Sequence, residues 1–256
     1  MAGPLNGGGP REYFDFQHDP TWRIFRIMSE FVEGFTFLAR IQKSVTIFGS
    51  ARLPESHPFY QHARELGRAL ALRGYTIVTG GGPGIMQAAN QGAFEVGGNS
   101  VGLNIQLPDE QRTNPYVKQG ISFNYFFSRK VMLDFSAEAY IFFPGGYGTL
   151  DEFFELLTLV QTGKVDRDTP VILIGHDYWS GLTSWIEQEL LLKVHAISPG
   201  DLHLWTLTDD LDEAVRIVEA GVERQTEERL VRKGRRARTA EDSLEQATQP
   251  GKETQQ

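Results

Sequence analysis

The amino-acid sequence predicts an α/β protein: a doubly wound, Rossmann-like parallel sheet with helices on both faces, in a single domain. Short apolar runs alternate with stretches of helical periodicity. The runs are continuous in apolar residues, as is typical of parallel strands that are covered on both faces. Three of them end in turns that contain Gly49, Gly80 and Gly145. Ligands bind beyond the carboxyl ends of such strands, so these turns are expected to line one crevice.

The first half of the chain predicts a leading helix and then an alternation of strands and helices. The leading helix has apolar residues at helical spacing, and Gly74 ends the second helix. The predicted elements are a helix over 21–41, a strand over 44–48, a helix over 57–73, a strand over 75–79, a helix over 85–96, a strand over 101–105 and a polar loop over 107–119.

The second half continues this alternation and ends in a helix that Asp209 is predicted to cap. Its elements are a strand or edge segment over 121–127, a helix beginning at 128–130, a strand over 139–143, a helix from 149, a strand over 171–174, a helix over 179–193, a short strand over 204–207 and a helix over 209–220.

The expected domain covers residues 21–222. Residues 1–20 are rich in glycine and proline and predict a flexible arm. Residues 223–256 lose apolar content and predict a disordered tail.

Composition restricts the class of function. Asp and Glu number 33 against 25 Lys and Arg, a net charge of -8, which argues against a protein that coats nucleic acid. The absence of cysteine removes thiol nucleophiles, disulfides and thiolate metal sites. No run reaches the length of a membrane span, and the first residues lack a signal-peptide pattern. A cytoplasmic protein without membrane contact is expected.

The stretch with the clearest chemistry is a strand over 139–143, a glycine turn over 144–148 and a helix from Thr149. Glycines let a ligand approach the backbone, and the first N–H groups of a helix attract anions. The sequence therefore predicts a phosphate site here. Asp151 and Glu152 are expected in the first helical turn, where a carboxylate beside a phosphate indicates catalysis rather than simple capture.

Two adjacent cations, Arg129 and Lys130, are predicted at the start of a half-buried helix. An arginine near the positive end of a helix invites an anionic partner, either Glu152 or a ligand phosphate. Pairing with Arg129 is expected to keep Glu152 ionised.

Other site types are not supported by the residue spacing. The turn over 80–84 lacks the dinucleotide-binding glycine pattern, and no glycine loop carries the lysine of a nucleotide-hydrolysing P-loop. The six histidines show no metal-ligand spacing, so no metal site is expected.

These motifs together resemble the Lonely Guy family of cytokinin-activating phosphoribohydrolases, formerly called lysine decarboxylase-like. Residues 144–152, PGGYGTLDE, match that family's PGGxGTxxE motif. Arg129 and Lys130 precede it at the spacing of the family's Arg-Lys pair, and residues 80–86 resemble its second glycine loop. The resemblance extends over residues 44–193.

The resemblance implies hydrolysis of the N-glycosidic bond of a nucleoside 5′-monophosphate to free base and ribose 5-phosphate, with Arg129 and Glu152 as the catalytic pair. It also implies a homo-oligomer, either a dimer or a hexamer, with no cofactor. The substrate-binding residues implied by the resemblance are Gly82, Met86, Glu110, Lys130, Gly145, Gly146, Tyr147, Gly148, Thr149 and Asp151.

Two alternatives remain open from the sequence. A nucleotide-binding or carrier protein uses the same crevice without cleavage. A lysine decarboxylase needs a lysine to form a Schiff base with pyridoxal phosphate, and Lys130 is the lysine near the crevice. The preferred base, N6-isopentenyladenine or plain adenine, is also left open.

Overall fold

The computed structural model describes residues 20–106 and 113–227. Most of the predicted arm and tail, and Glu110 of the polar loop, lie outside the described residues. Among the helices of the described residues, none combines the length and the apolar character needed to cross a membrane.

The centre of the fold is a seven-stranded sheet in which every neighbouring pair is parallel. The strand order is β4-β3-β2-β1-β5-β6-β7. The strands are β1 (Ser44–Phe48), β2 (Thr76–Thr79), β3 (Ser100–Ile105), β4 (Gln119–Phe123), β5 (Ala139–Phe142), β6 (Val171–Ile174) and β7 (Thr206–Thr208). This topology confirms the predicted doubly wound parallel fold.

Helices connect the strands and cover the sheet. They are α1 (Pro20–Leu38), α2 (Pro58–Leu72), α3 (Ile85–Glu95), α4 (Phe126–Asp134), α5 (Tyr147–Gln161), α6 (His176–Trp185) and α7, described over 211–227. After α6 the chain continues as a π-helix over Ile186–Lys193, and a 3₁₀ helix occupies Pro199–His203.

The core consists of two hydrophobic clusters, one on each face of the sheet. Side chains alternate between the faces of a strand, so Ile141 joins one cluster while its neighbours Tyr140 and Phe142 join the other. The first cluster contains α2, α3 and α7, and the second contains α4, α5 and α6. Burial on both faces explains why the strands are apolar along their whole length.

The start of α4 differs from the prediction. The sequence suggested strand character up to residue 127, but β4 ends at Phe123 and α4 begins at Phe126. The buried carboxylate of Glu30, on α1, accepts hydrogen bonds from the backbone N–H of Asn124 at 2.8 Å and from the hydroxyl of Ser128 at 2.5 Å. These bonds satisfy polar groups at the helix start, a contact between distant segments that local sequence patterns do not show.

The predicted role of Asp209 was also wrong. Its carboxylate accepts a hydrogen bond at 2.8 Å from the backbone N–H of His176, the first residue of α6. This helix begins three residues before residue 179, the predicted start. The start of α7 is capped instead by Asp210, which accepts from the N–H groups of Asp212 and Glu213. This last helix continues through residue 227.

Close packing of α2 on α3 leads to a first prediction. A Cβ at Gly92 of α3 would lie 1.9 Å from the carbonyl oxygen of Arg64 on α2. Replacing Gly92 by alanine is therefore expected to lower the free energy of unfolding by about 1–3 kcal/mol, measured by urea denaturation. The matched control is Gly181→Ala in α6, where a Cβ meets no heavy atom within 4 Å. This control is expected to gain about 0.5–1 kcal/mol, and equal losses in both variants would contradict the close approach.

Candidate active site

Three strand-end turns are joined by the backbone of Ser50. Its N–H donates to the carbonyl of Pro144 at 3.0 Å, and its carbonyl accepts from the N–H of Ile85 at 3.0 Å. Gly84 passes close to this link with a positive φ of 68°, and a Cβ there would lie 2.3 Å from the Ser50 carbonyl oxygen. The turns that follow β1, β2 and β5 are therefore fixed relative to one another.

A cleft of about 820 Å³ opens at these turns, at the carboxyl ends of the strands. It lies where the strand order reverses, because β1 has β2 on one side and β5 on the other. Its described lining residues are Phe48, Gly49, Ser50, Ala51, Arg52, Gly80, Met86, Ile105, Phe126, Arg129, Lys130, Gly145, Gly146, Tyr147, Gly148, Thr149, Leu150, Asp151 and Glu152.

The N-terminus of α5 forms one wall of the cleft. Gly146 is the N-cap residue, and the hydroxyl of Tyr178 holds the turn by donating to the Gly145 carbonyl at 2.5 Å. A Cβ at Gly145 would lie 2.0 Å from the Thr149 hydroxyl oxygen, so a glycine is needed for this close approach. The first N–H groups of the helix and its dipole make this wall suited to an anion.

The helix begins at Tyr147 rather than at Thr149, which corrects the expected position of the two acidic residues. Asp151 and Glu152 lie in the second turn of α5, not in its first. Glu152 is buried, with 8% of its surface exposed, whereas the Asp151 side chain is 61% exposed. The Oε2 atom of Glu152 is buried and has no hydrogen-bond partner among the described residues.

Burial dominates the ionisation of Glu152. Desolvation, with further repulsion from Glu155 and Asp151, raises the pKa of the Glu152 carboxyl to about 7, although Lys130 and Arg129 oppose this shift. Arg129 favours the ionised form of Glu152, as the sequence led us to expect, but burial of the carboxyl outweighs this effect. At neutral pH the carboxyl is divided between its two protonation states.

Arg129 lies on the same cleft, and a backbone carbonyl holds its side chain. Its Nε donates to the Leu103 carbonyl at 2.8 Å. Its guanidinium packs against Gly80, where a Cβ would lie 2.2 Å from a terminal nitrogen of Arg129. Burial lowers the pKa of Arg129, and the charge of Glu152 opposes this. Glycine at position 80 thus makes room for the arginine.

Lys130 faces two carboxylates of α5. Its Nζ lies 2.7 Å from Oδ2 of Asp151 and 2.5 Å from Oε2 of Glu155. Burial disfavours the ammonium form, but the hydrogen bonds to Asp151 and Glu155 outweigh it and raise the pKa of Lys130 above its usual value. The ammonium group is therefore retained at neutral pH.

The structure brings most of the predicted site residues to one cleft. Arg129, Glu152, Lys130, Met86 and the Gly145 turn all line it. Gly82 does not belong to the described lining: it is buried, and its carbonyl accepts from Nδ2 of Asn114 at 3.0 Å.

Sequence reasoning missed two groups at this site. Phe126 lines the cleft, and it lies three residues before Arg129 on α4. A correctly placed helix start would have revealed this shared face. Asp134 and Glu155 place carboxylate oxygens within 4.8 Å of those of Glu152, a group that has the composition of a cation site. The ammonium of Lys130 already supplies a positive charge to Glu155 there, and the absence of a metal stays a prediction.

The fold and the cleft define a class of protein: a doubly wound α/β protein with a cleft and a helix N-terminus at the point where the strand order reverses. The family model described as possible lysine decarboxylase matches residues 86–218. The chain belongs to this family, the Lonely Guy family, as the sequence motifs predicted.

Curated relatives with named activities support the family assignment. A cytokinin riboside 5′-monophosphate phosphoribohydrolase of Mycobacterium tuberculosis is 30% identical over 171 residues, covering 65% of this chain and 88% of the relative. A probable enzyme of the same name from Oryza sativa subsp. japonica is 28% identical over 192 residues, covering 74% of this chain and 75% of the relative.

Solved structures share the fold. The molybdenum cofactor carrier protein of Chlamydomonas reinhardtii aligns with a TM-score of 0.54 at 22% identity, over 71% of this chain and 99% of that one. An X-ray structure from a structural genomics consortium gives a TM-score of 0.52 at 27% identity, over 70% of this chain and 99% of that one. Similarity at 22% identity shows the fold alone.

The buried Glu152 carboxyl leads to a prediction about pH. Its pKa in the folded protein, about 7, exceeds the ordinary value of 4.5. Its contribution to stability is therefore fully present below the lower value and is lost as the pH rises through the higher one. Glu152→Gln has no carboxyl to ionise, so it does not lose this stability as the pH rises. The free energy of unfolding of the variant minus that of wild type is therefore expected to increase by about 2–3 kcal/mol from pH 4 to pH 8.

Urea unfolding across this pH range measures the effect. The control is Glu187→Gln, at an exposed position outside the cleft lining, which is expected to follow the wild-type pH dependence. A Glu152→Gln curve parallel to that of wild type would show that Glu152 ionises at its ordinary pKa.

Proposed function

We propose that this protein hydrolyses the N-glycosidic bond of nucleoside 5′-monophosphates and releases the free base and ribose 5-phosphate. The observation that carries the proposal is the position of Glu152: a buried carboxyl with an unpartnered oxygen, in the same cleft as the N-terminus of α5. An anion site beside a carboxyl of raised pKa suits a reaction that needs both phosphate binding and proton transfer.

The carboxyl of Glu152 acts on the reacting sugar. Cleavage of a glycosidic bond passes through an oxocarbenium-like state, in which positive charge develops on the ribose. An ionised Glu152 stabilises this charge or takes a proton from the attacking water. Its pKa of about 7 keeps a large fraction in this form at neutral pH.

The phosphate group positions the substrate. It binds the N–H groups and the Thr149 hydroxyl at the start of α5, which line the cleft. Arg129 supplies a guanidinium between this wall and the turn after β2 and contacts the substrate. Binding energy from the phosphate, away from the bond that breaks, holds the ribose at Glu152.

The base is bound by the apolar part of the cleft. Met86, Ile105 and Phe126 contribute apolar side chains to the lining. Such a surface suits an adenine that carries an apolar N6 substituent, and the names of the relatives point to cytokinin nucleotides. We therefore propose N6-modified adenosine 5′-monophosphates as the preferred substrates.

The lysine decarboxylase alternative does not fit the residues present. Lys130 is the one lysine among the described residues of the cleft lining. A Schiff base with pyridoxal phosphate needs a neutral amine, but the ion pairs with Asp151 and Glu155 stabilise the charged form of Lys130.

A homo-oligomer, dimer or hexamer, is part of the proposal. Apolar side chains of α1 are about half exposed, which is unusual for large hydrophobic residues and favours coverage by another copy of the chain. They are Trp22, Ile24, Phe25, Met28, Val32 and Phe35.

Product analysis tests the proposed reaction. The purified protein, incubated with AMP or N6-isopentenyl-AMP, is expected to release free base and ribose 5-phosphate, and the ratio of the two rates identifies the preferred base. Glu152→Gln is expected to lower kcat/KM by at least about 100-fold, because the amide neither carries the charge nor accepts the proton. Glu187→Gln serves again as the control with wild-type turnover.

Two results would contradict the proposal. Near wild-type turnover of Glu152→Gln would remove Glu152 from the mechanism. Tight nucleotide binding by the wild-type protein without any base release would instead support the carrier alternative.

The role of Thr149 is tested by a second variant. Thr149→Val keeps the shape of the side chain but removes the hydroxyl, so the KM for AMP is expected to rise about 3- to 10-fold, as for one lost hydrogen bond. The control is Thr158→Val on the same helix, whose hydroxyl donates to the Phe154 carbonyl. Steady-state kinetics that show the same KM for both variants would exclude a phosphate contact by Thr149.

A further inference from the structure

Three carboxyl groups meet between α4 and α5. Asp134 comes from α4, and Glu152 and Glu155 come from α5; carboxylate oxygens of the three all lie within 4.8 Å of one another. Asp134 is 4% exposed and Glu152 is 8% exposed. Glu155 is partly exposed. Two buried carboxyls this close to each other and to a third interact strongly, because the medium around them has a low dielectric constant.

Helical spacing explains why these residues meet. Glu152 and Glu155 are three residues apart on α5, and Lys130 and Asp134 are four apart on α4, so each pair lies on one side of its helix. Lys130 connects the two helices through its 2.5 Å contact with Glu155. The ion pair therefore joins Glu155 of this group to the positive charge of Lys130.

The charges around this group do not balance. Four carboxyls face two cations, so the site carries excess negative charge if every carboxyl ionises. The titratable groups that face one another here are Arg129, Lys130 and Asp134 of α4, Asp151, Glu152 and Glu155 of α5, and Tyr140 of β5, whose hydroxyl donates to the Asp134 backbone carbonyl.

We propose that Asp134 and Glu155 are positioning residues that form one proton-sharing group with Glu152 and keep at least one proton among the three carboxyls at neutral pH. Glu155, charged beside Lys130, disfavours a second charge on Glu152. A charged Glu152 in turn keeps the proton on Asp134. The effect of this group on the pH dependence of catalysis rests on the proposed function, but the sharing of the proton does not.

The ionisation properties agree with this geometry. Burial, followed by the charges of Glu155 and Glu152, raises the pKa of Asp134 to about 8. The pKa of Glu152 is raised to about 7 by burial and by its acidic neighbours. Both pKa values depend on the charges of the neighbouring carboxyls, so the three carboxyls titrate as a coupled group.

The test is a ¹³C NMR titration of the full chain with labelled aspartate and glutamate carboxyls, which needs no turnover. Glu155→Gln is expected to lower the titration midpoints of both Glu152 and Asp134 by about 0.5–1 pH unit, because it removes a negative charge. Lys130→Met is expected to raise the Glu152 midpoint, because it removes a positive charge. Asp212→Asn, at an exposed position on α7, is expected to change neither.

Reciprocity gives a further check that a merely structural role would not satisfy. Glu152→Gln is expected to lower the Asp134 midpoint, since the coupling of two sites acts equally in both directions. The shape-conserving variants Glu155→Gln and Asp134→Asn are first shown to be folded by circular dichroism. Midpoints that move by less than about 0.2 unit in Glu155→Gln, or that move upwards, would overturn the proposal.

Kinetics then separate this inference from the proposed reaction. If the protein is a phosphoribohydrolase, Glu155→Gln shifts the acidic limb of the pH–rate profile of kcat/KM to lower pH by the same amount as the Glu152 midpoint. Equal loss of rate at every pH, with no shift of the limb, would contradict the positioning role. If the wild-type protein releases no base from any nucleotide, the proposed function is refuted. The NMR titration then still decides whether the three carboxyls are coupled.

Discussion

The cleft depends on two backbone hydrogen bonds of Ser50, which tie the turns after β1, β2 and β5 together. Hydrogen bonds are directional and restricted to a narrow range of distances, so these two bonds fix the positions of the glycine turns. Gly84 allows the approach because a side chain there would strike the Ser50 carbonyl. With these strand ends fixed, the N-terminus of α5 and the residues of α4 face one another across a defined space.

Within that space, burial rather than ion pairing sets the charge of Glu152. Two cations lie nearby, yet Lys130 forms ion pairs with Asp151 and Glu155, and Arg129 donates to a backbone carbonyl. The cations therefore lower the cost of ionising Glu152 without cancelling it. A carboxyl that exchanges its proton near neutral pH is the result, which is the property that acid–base catalysis requires.

The shared fold does not by itself assign a reaction. A solved structure named as a molybdenum cofactor carrier has the same fold at 22% identity, and curated relatives at 28–30% identity are named as phosphoribohydrolases. A parallel sheet supplies a crevice and a helix N-terminus whatever the chemistry performed there. The difference between binding and cleavage must come from side chains such as Arg129 and Glu152.

The sequence by itself determined the fold class, the bounds of β1 and β6, and the glycine turn before α5, because apolar runs and glycine turns are local signals. It also singled out Arg129 and Glu152 through a motif. Only the tertiary structure showed that α4 begins under the carboxylate of Glu30, and that Asp134 stands beside Glu152. Such contacts join residues far apart in the chain, and the ionisation of a carboxyl depends on every charge and every layer of packing that the fold places around it.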